Sequence, residues 1–151
     1  MLGFLPMPYG ALYAATKHAV EGYSQSLDHE LRTRGIRVSV IEPAFIKTPF
    51  DSNLLEPDAT LDEYREIRTA LSTRVKELMA AADSPAVVAD TVLKAANAAT
   101  PKLRYTAGGL AKRLQLLRRF APAAVMDAGV RKDLRLDVVT PSPARAHSVA
   151  K

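Results

Sequence analysis

The chain has 151 residues, 48% of them apolar and 25% charged, with no cysteine. That is one ordinary globular domain, without disulfides or thiolate metal sites. His18, His29 and His147 have no ligand spacing, no apolar run approaches the roughly 20 residues that cross a bilayer, and "MLGFLPMPYG" lacks the basic start of a signal peptide, so a metal-free cytoplasmic protein is expected. The formal net charge of +5 is uneven. Nine Lys/Arg face two Asp between Lys102 and Arg135, and six acids face one Arg from Asp51 to Glu66. Both stretches read first as solvated faces, and a basic surface for an anionic membrane or acidic partner is the alternative. Aromatic RNA-binding strings and zinc-finger spacings are absent, so nucleic acid is not an expected partner.

A first helix is predicted from about Tyr13 to Arg34. Val20, Tyr23, Leu27 and Leu31 recur at steps of three and four as its apolar stripe, with Glu21, Gln25, Asp28, His29 and Arg32 opposite. Gly35 is placed to cap its end. Ile36, Val38, Val40 and Ile41 then predict a buried strand that stops near Glu42, because Pro43 cannot continue a ladder. "KTPFDSNLLEPDATLDEY" reads as an irregular loop, followed by a polar helical stretch from about Leu61 to Ala82 that belongs to a lid.

Ser84-Pro85 signals a new helix, with Val87, Val88, Thr91, Val92, Ala95 and Ala96 on its inner side. "LRYTAG" from Leu103 is a second short strand closed by Gly108-Gly109. Leu110, Leu114, Leu117 and Ala121 line the next helix, with Lys112, Arg113, Arg118 and Arg119 outside, and Pro122 opens a last short helix. The expected fold is therefore α/β, with about two strands and five to six helices. Residues 1–136 form the folded part, and the Pro/Ser/Ala-rich 137–151 are a disordered tail. Two parallel strands have no stability of their own, so the Ile36–Ile41 strand wants neighbours that this sequence does not supply.

Tyr13 and Lys17 are one helical turn apart. A lysine turned toward the apolar side costs desolvation, and an ammonium beside a phenol favours the phenolate, so such a tyrosine can exchange a proton with an alcohol or carbonyl oxygen. The bland alternative is that Lys17 pairs with Glu21 on the solvent side.

The string "PYGALYAATKHAVEGYSQSLDHELRTRGIRVSVIEPAFIKTPF" resembles the short-chain dehydrogenase/reductase family along its whole length. The resemblance implies that Tyr13 is the general acid/base and that Lys17 holds the nicotinamide ribose. It implies that Pro43, Ala44, Ile46 and Thr48, in the run Pro43-Ala44-Phe45-Ile46-Lys47-Thr48, lie against NAD or NADP. It also implies a Rossmann-like doubly wound parallel sheet, a small alcohol or ketone substrate and a homo-oligomer packed through the long helix.

The sequence departs from the family pattern in four ways. The glycine-rich pyrophosphate loop and the central-strand N-A-G are missing, and Gly108-Gly109 lacks the G-x-x-x-G-x-G spacing. The catalytic serine, about 13 residues before the tyrosine in the family pattern, falls ahead of Met1. Ala44 replaces the usual glycine. The chain therefore reads as the carboxyl-terminal half of such an enzyme, inactive and poorly soluble alone. Leu54, Leu55, Leu71, Leu78 and Met79 either mark an apolar substrate or simply pack the lid. The competing function is a non-catalytic module that docks on a membrane or partner through Leu110, Leu114, Leu117 and Phe120 of the basic helix.

Overall fold

The computed structural model describes residues 3–50, 53 and 59–137. Leu54, Leu55 and the predicted tail from residue 138 onward lie outside them. In chain order the elements are α1 (Ala11–Leu31), a 3₁₀ turn (Arg32–Arg34), β1 (Val40–Pro43), a 3₁₀ turn (Asp62–Tyr64), α2 (Arg65–Ala80), α3 (Ala86–Ala96), β2 (Arg104–Ala107), α4 (Gly109–Phe120) and α5 (Ala123–Asp133). β1 and β2 pair in parallel, with Val40 opposite Arg104 and Pro43 opposite Ala107. This is an α/β arrangement of five α-helices and two parallel strands, part of a Rossmann-like fold. Among the described residues no helix is long and apolar enough to cross a membrane, and no group of His, Asp and Glu side chains is arranged to hold a metal.

Local chemistry sets the boundaries. α1 ends where Gly35 adopts φ +74° and returns its N–H to the Arg32 carbonyl at 3.1 Å, a left-handed cap that needs no side chain. Ser84 Oγ accepts the Ala86 N–H at 3.3 Å at the head of α3, and Pro122 sets φ before α5. α3 packs on both strands and α4 on β2. Ala107 and Ala111 are fully buried where β2 meets α4. A second apolar centre joins Leu71 of α2 to Leu134 and Leu136 beyond α5, with Ile67, Val75, Leu78 and Val130 around it.

Two expectations are corrected. The apolar stripe of α1 is not its inner face: Val20 is 56% and Tyr23 68% exposed, and the buried residues are Ala14, Glu21 and Asp28, seven apart. Polar residues can occupy that face because each finds a partner. Asp28 accepts the side chains of Arg32 and Arg37, the latter through Nε at 2.9 Å, and the Val38 N–H at 2.9 Å. These donors hold its carboxyl well below the usual carboxylate range, Arg37 contributing most. The same bonds shorten the predicted strand. Val38 gives its N–H to Asp28, so the ladder starts only at Val40, whose N–H reaches Leu103 O at 2.8 Å. Pro43 is the last residue of β1, where a missing donor matters least.

Candidate functional site

α1 begins directly after a tight turn in which the Gly10 N–H bonds to Met7 O at 3.0 Å. Tyr9 takes a left-handed φ of +59° in that turn, an uncommon conformation for a residue with a side chain. The turn places Tyr13 on the first turn of the helix and Lys17 on the second, with Lys17 Nζ 5.2 Å from the centre of the Tyr13 ring. Lys17 does not pair with Glu21, whose carboxylate instead meets Arg104 at 2.9 Å. Among the described residues neither the Tyr13 hydroxyl nor Lys17 Nζ has a hydrogen-bond or ion-pair partner within the chain. Both are donors left open to an external oxygen.

The run after β1 is held by α2's far end. Phe45 O accepts the Asp83 N–H at 3.1 Å, the Lys47 N–H bonds to Asp83 O at 2.9 Å, and Ile46 forms a bridge with Asp83. Pro43, Ala44 and Ile46 are half-buried along this path, and Thr48 is exposed. Thr48 Oγ1 accepts the Phe50 N–H at 3.4 Å, folding the chain back. That turn brings the Phe50 ring to 5.6 Å from the Tyr13 ring, the contact that joins the Tyr13–Lys17 pair to the Pro43–Thr48 run. Tyr64, in the 3₁₀ turn before α2, meets Tyr9 edge-on at 6.2 Å. Tyr9, Phe50 and Tyr64 were not expected from spacing. Phe50 stands two residues beyond Thr48, and its position was the available clue.

A cleft of about 270 Å³ lies between Phe45, Leu78, Ala82, Asp83, Leu110 and Arg113. None of Tyr13, Lys17, Pro43, Ala44, Ile46 and Thr48 lines it, whereas Leu78, weighed from the sequence as a substrate or packing residue, does. Gly108, at φ +91° before α4, is not a phosphate cradle. A Cβ there would stand 2.3 Å from an Asp83 carboxylate oxygen, so the space is already filled by Asp83. The residues present thus fit the nicotinamide-ribose end of a dinucleotide, through the open donors of Tyr13 and Lys17. None of the described residues forms a pyrophosphate cradle.

Behind the pair, α1 is tied to the sheet by charges that periodicity did not predict. Arg104 of β2 lies between Glu21 of α1, at 2.9 Å, and Glu42 of β1, at 3.5 Å. Gln115 of α4 donates to Glu42 at 3.1 Å. Glu42 is 1% exposed. Glu21 Oε2 and Glu42 Oε1 face the guanidinium as ion pairs but without an aligned hydrogen bond. Burial first, and the Glu21 charge second, push the Glu42 carboxyl above its ordinary range, against the opposing pull of Arg104 and Gln115. One guanidinium shared by two buried carboxylates is what keeps the polar side of α1 inside.

Comparison with known proteins agrees with this architecture. A family profile described as short chain dehydrogenase matches residues 1–59. An uncharacterized oxidoreductase of Schizosaccharomyces pombe is 32% identical over 136 residues, covering 89% of this chain and 56% of that protein. The uncharacterized oxidoreductase YbbO of Escherichia coli is 32% identical over 127 residues, covering 84% and 44%. The 17-beta-hydroxysteroid dehydrogenase type 6 of mouse is 27% identical over 136 residues, covering 79% and 42%. The chain spans about half the length of the curated relatives it matches. With the Tyr13–Lys17 pair on the leading turns of its long helix and a parallel strand running into Pro43–Thr48, the chain belongs to the short-chain dehydrogenase/reductase family.

Proposed function

We propose that the chain carries the proton-transfer half of an NAD- or NADP-dependent oxidoreductase acting on an alcohol or ketone. The observation that carries this reading is the Tyr13–Lys17 pair, stacked at 5.2 Å with both polar ends open, while the nearest alternative partner of Lys17 is engaged by Arg104. The nicotinamide, when bound, supplies or accepts the hydride at the substrate carbon. Tyr13 gives or takes the proton on the substrate oxygen. Lys17, over the ring, stabilises the negative charge that develops on the phenol oxygen as its proton leaves, and its ammonium is placed to hold a ribose hydroxyl. Pro43, Ala44, Ile46 and Thr48 form the wall that the cofactor lies against, and Ala44 narrows it by one methyl relative to glycine.

The Phe50 ring beside Tyr13 favours an apolar alcohol or ketone. A retinol dehydrogenase and the hydroxysteroid dehydrogenase among the relatives are named for such substrates. The exposed side of α1, with Leu12, Val20 and Tyr23, supports contact with a second copy. The two-stranded sheet supports reading residues 1–136 as the carboxyl-terminal part of a larger domain, which alone binds dinucleotide poorly.

The test is hydride transfer followed by nicotinamide absorbance on the longest product of the reading frame, with a panel of apolar ketones. Tyr13→Phe lowers turnover by about 10²–10⁴-fold, the usual worth of a positioned acid/base, while leaving cofactor affinity nearly intact. Lys17→Ala weakens both. Undiminished turnover in Tyr13→Phe overturns the assignment.

A further inference from the structure

We propose that the outer face of α4 is a docking surface for an anionic lipid bilayer. The inference goes beyond the oxidoreductase reading and does not depend on it. α4 seats Ala111, Leu114 and Gln115 toward the protein, so Leu114 does not dock as expected from periodicity. At 100° per residue, the opposite side carries Leu116, Phe120 and Leu117 as one sector, with Leu110 at its edge where it lines the cleft beside Phe45 and Leu78. Phe120 is 73% exposed, Leu117 51% and Leu116 47%. Lys112 and Arg119 flank that sector on one side and Arg113 lies inside it, while Arg118 falls between Leu114 and Ala111 and turns back to the protein.

The charge on this helix is of one sign. Its twelve residues include four cations and no acid. None of the ion pairs among the described residues involves a cation of α4. Arg118 reaches the Phe4 carbonyl at 3.3 Å, and Arg119 lies 5.4 Å from the Phe120 ring. A second copy seated face to face would bring two sets of three cations together (Lys112, Arg113 and Arg119), so self-association through this face is opposed by charge. An apolar strip bordered by long cationic side chains fits the headgroup boundary of an anionic bilayer. There the strip enters the acyl edge and the cations reach the phosphates. Such binding is reversible and salt-sensitive, because neither contribution alone anchors a protein.

The test is co-sedimentation of the full chain with phosphatidylcholine vesicles, with and without phosphatidylserine. The chain should pellet only with the anionic vesicles. Neutralising two cations, Arg113→Gln with Arg119→Gln, should weaken partition by about 25-fold, at about fivefold per cation. Leu116→Ser with Phe120→Ser should weaken it by about tenfold or more. All four side chains are exposed, and unchanged far-ultraviolet dichroism checks that the variants fold. Three results overturn the proposal: no phosphatidylserine-dependent pelleting; pelleting that charge neutralisation abolishes and Leu116→Ser/Phe120→Ser leaves intact, the behaviour of a general polyanion site; or concentration-dependent self-association abolished by Phe120→Ser without vesicle binding.

Discussion

Replacing Glu42 by glutamine should make the protein more stable at neutral pH. Glu42 is 1% exposed, and its Oε1 stands 3.5 Å from Arg104 Nε, too far for an aligned bond. Its other oxygen accepts from Gln115 at 3.1 Å, a bond the amide oxygen of glutamine keeps. Arg104 keeps its closer partner, Glu21 at 2.9 Å, so removing the Glu42 charge leaves one cation with one anion. A buried polar oxygen without an aligned partner costs about 1–3 kcal/mol, and the amide recovers part of that, so a gain of about 1 kcal/mol is expected. At a urea dependence of about 2 kcal/mol/M, the unfolding midpoint rises by about 0.5 M. The sign with pH follows from the raised proton affinity. In the wild type, stability is fullest below the ordinary glutamate value of 4.5 and falls as pH rises through the higher value of the folded state. Glu42→Gln removes this slope, so the two proteins converge below pH 4.5 and separate above it. Arg104→Met supplies the control. It should cost more in the wild type, where two carboxylates lose their shared cation, than in the Glu42→Gln background. A lower midpoint for Glu42→Gln at pH 7, or a gain that persists unchanged into acid, refutes the account of the cluster.

Asp28→Asn should act in the opposite sense. The Asp28 carboxyl is held below its unfolded value of 3.8 by Arg37, Arg32 and the Val38 N–H. The stability it contributes is present above that value and lost as pH falls further, so the variant melts lower at pH 7 and shows a flatter acid limb in thermal unfolding. Gly108→Ala meets both a left-handed φ of +91° and a carboxylate oxygen 2.3 Å from the new Cβ. It should cost about 1–3 kcal/mol in urea unfolding and loosen the Asp83 contacts with Phe45 and Lys47, read as faster amide exchange at Lys47 and Asp83. Asp83→Ala in the same background should relieve the clash and leave the φ cost.

Local signals were legible where one stretch of chain settles its own conformation. Gly35 capping α1, Ser84-Pro85 opening α3 and Pro122 opening α5 are decided within a few residues. The Tyr13–Lys17 pair is of the same kind, since a spacing of four fixes the neighbours on any helix. The orientation of α1 is not of that kind. Its periodicity offered a plausible apolar face, yet Glu21 and Asp28 point inward because Arg104 is 83 residues from Glu21 and Arg37 lies beyond the turn. A pattern of apolar residues assumes that charge stays in water, and a distant guanidinium suspends that assumption.

The same reasoning explains why the candidate site was only half readable. Tyr13 and Lys17 are set by one helix, but what stands over them is set by where the chain returns. Phe50 comes back because Thr48 turns the backbone locally and Asp83 pins Phe45 and Lys47, two long-range contacts with no local signature. The Arg104 clamp links the helix bearing Tyr13 to the strand that launches Pro43–Thr48. The proposed proton-transfer pair and cofactor wall are therefore held in register by a buried charge cluster as well as by the Tyr13–Phe50 ring contact. A change at Arg104 should then uncouple the two, moving Tyr13 relative to the wall without touching either. In the reading-frame product, the signature is a fall in turnover for Arg104→Met that Arg104→Lys partly restores, because a lysine returns the charge but not the two-sided reach of the guanidinium.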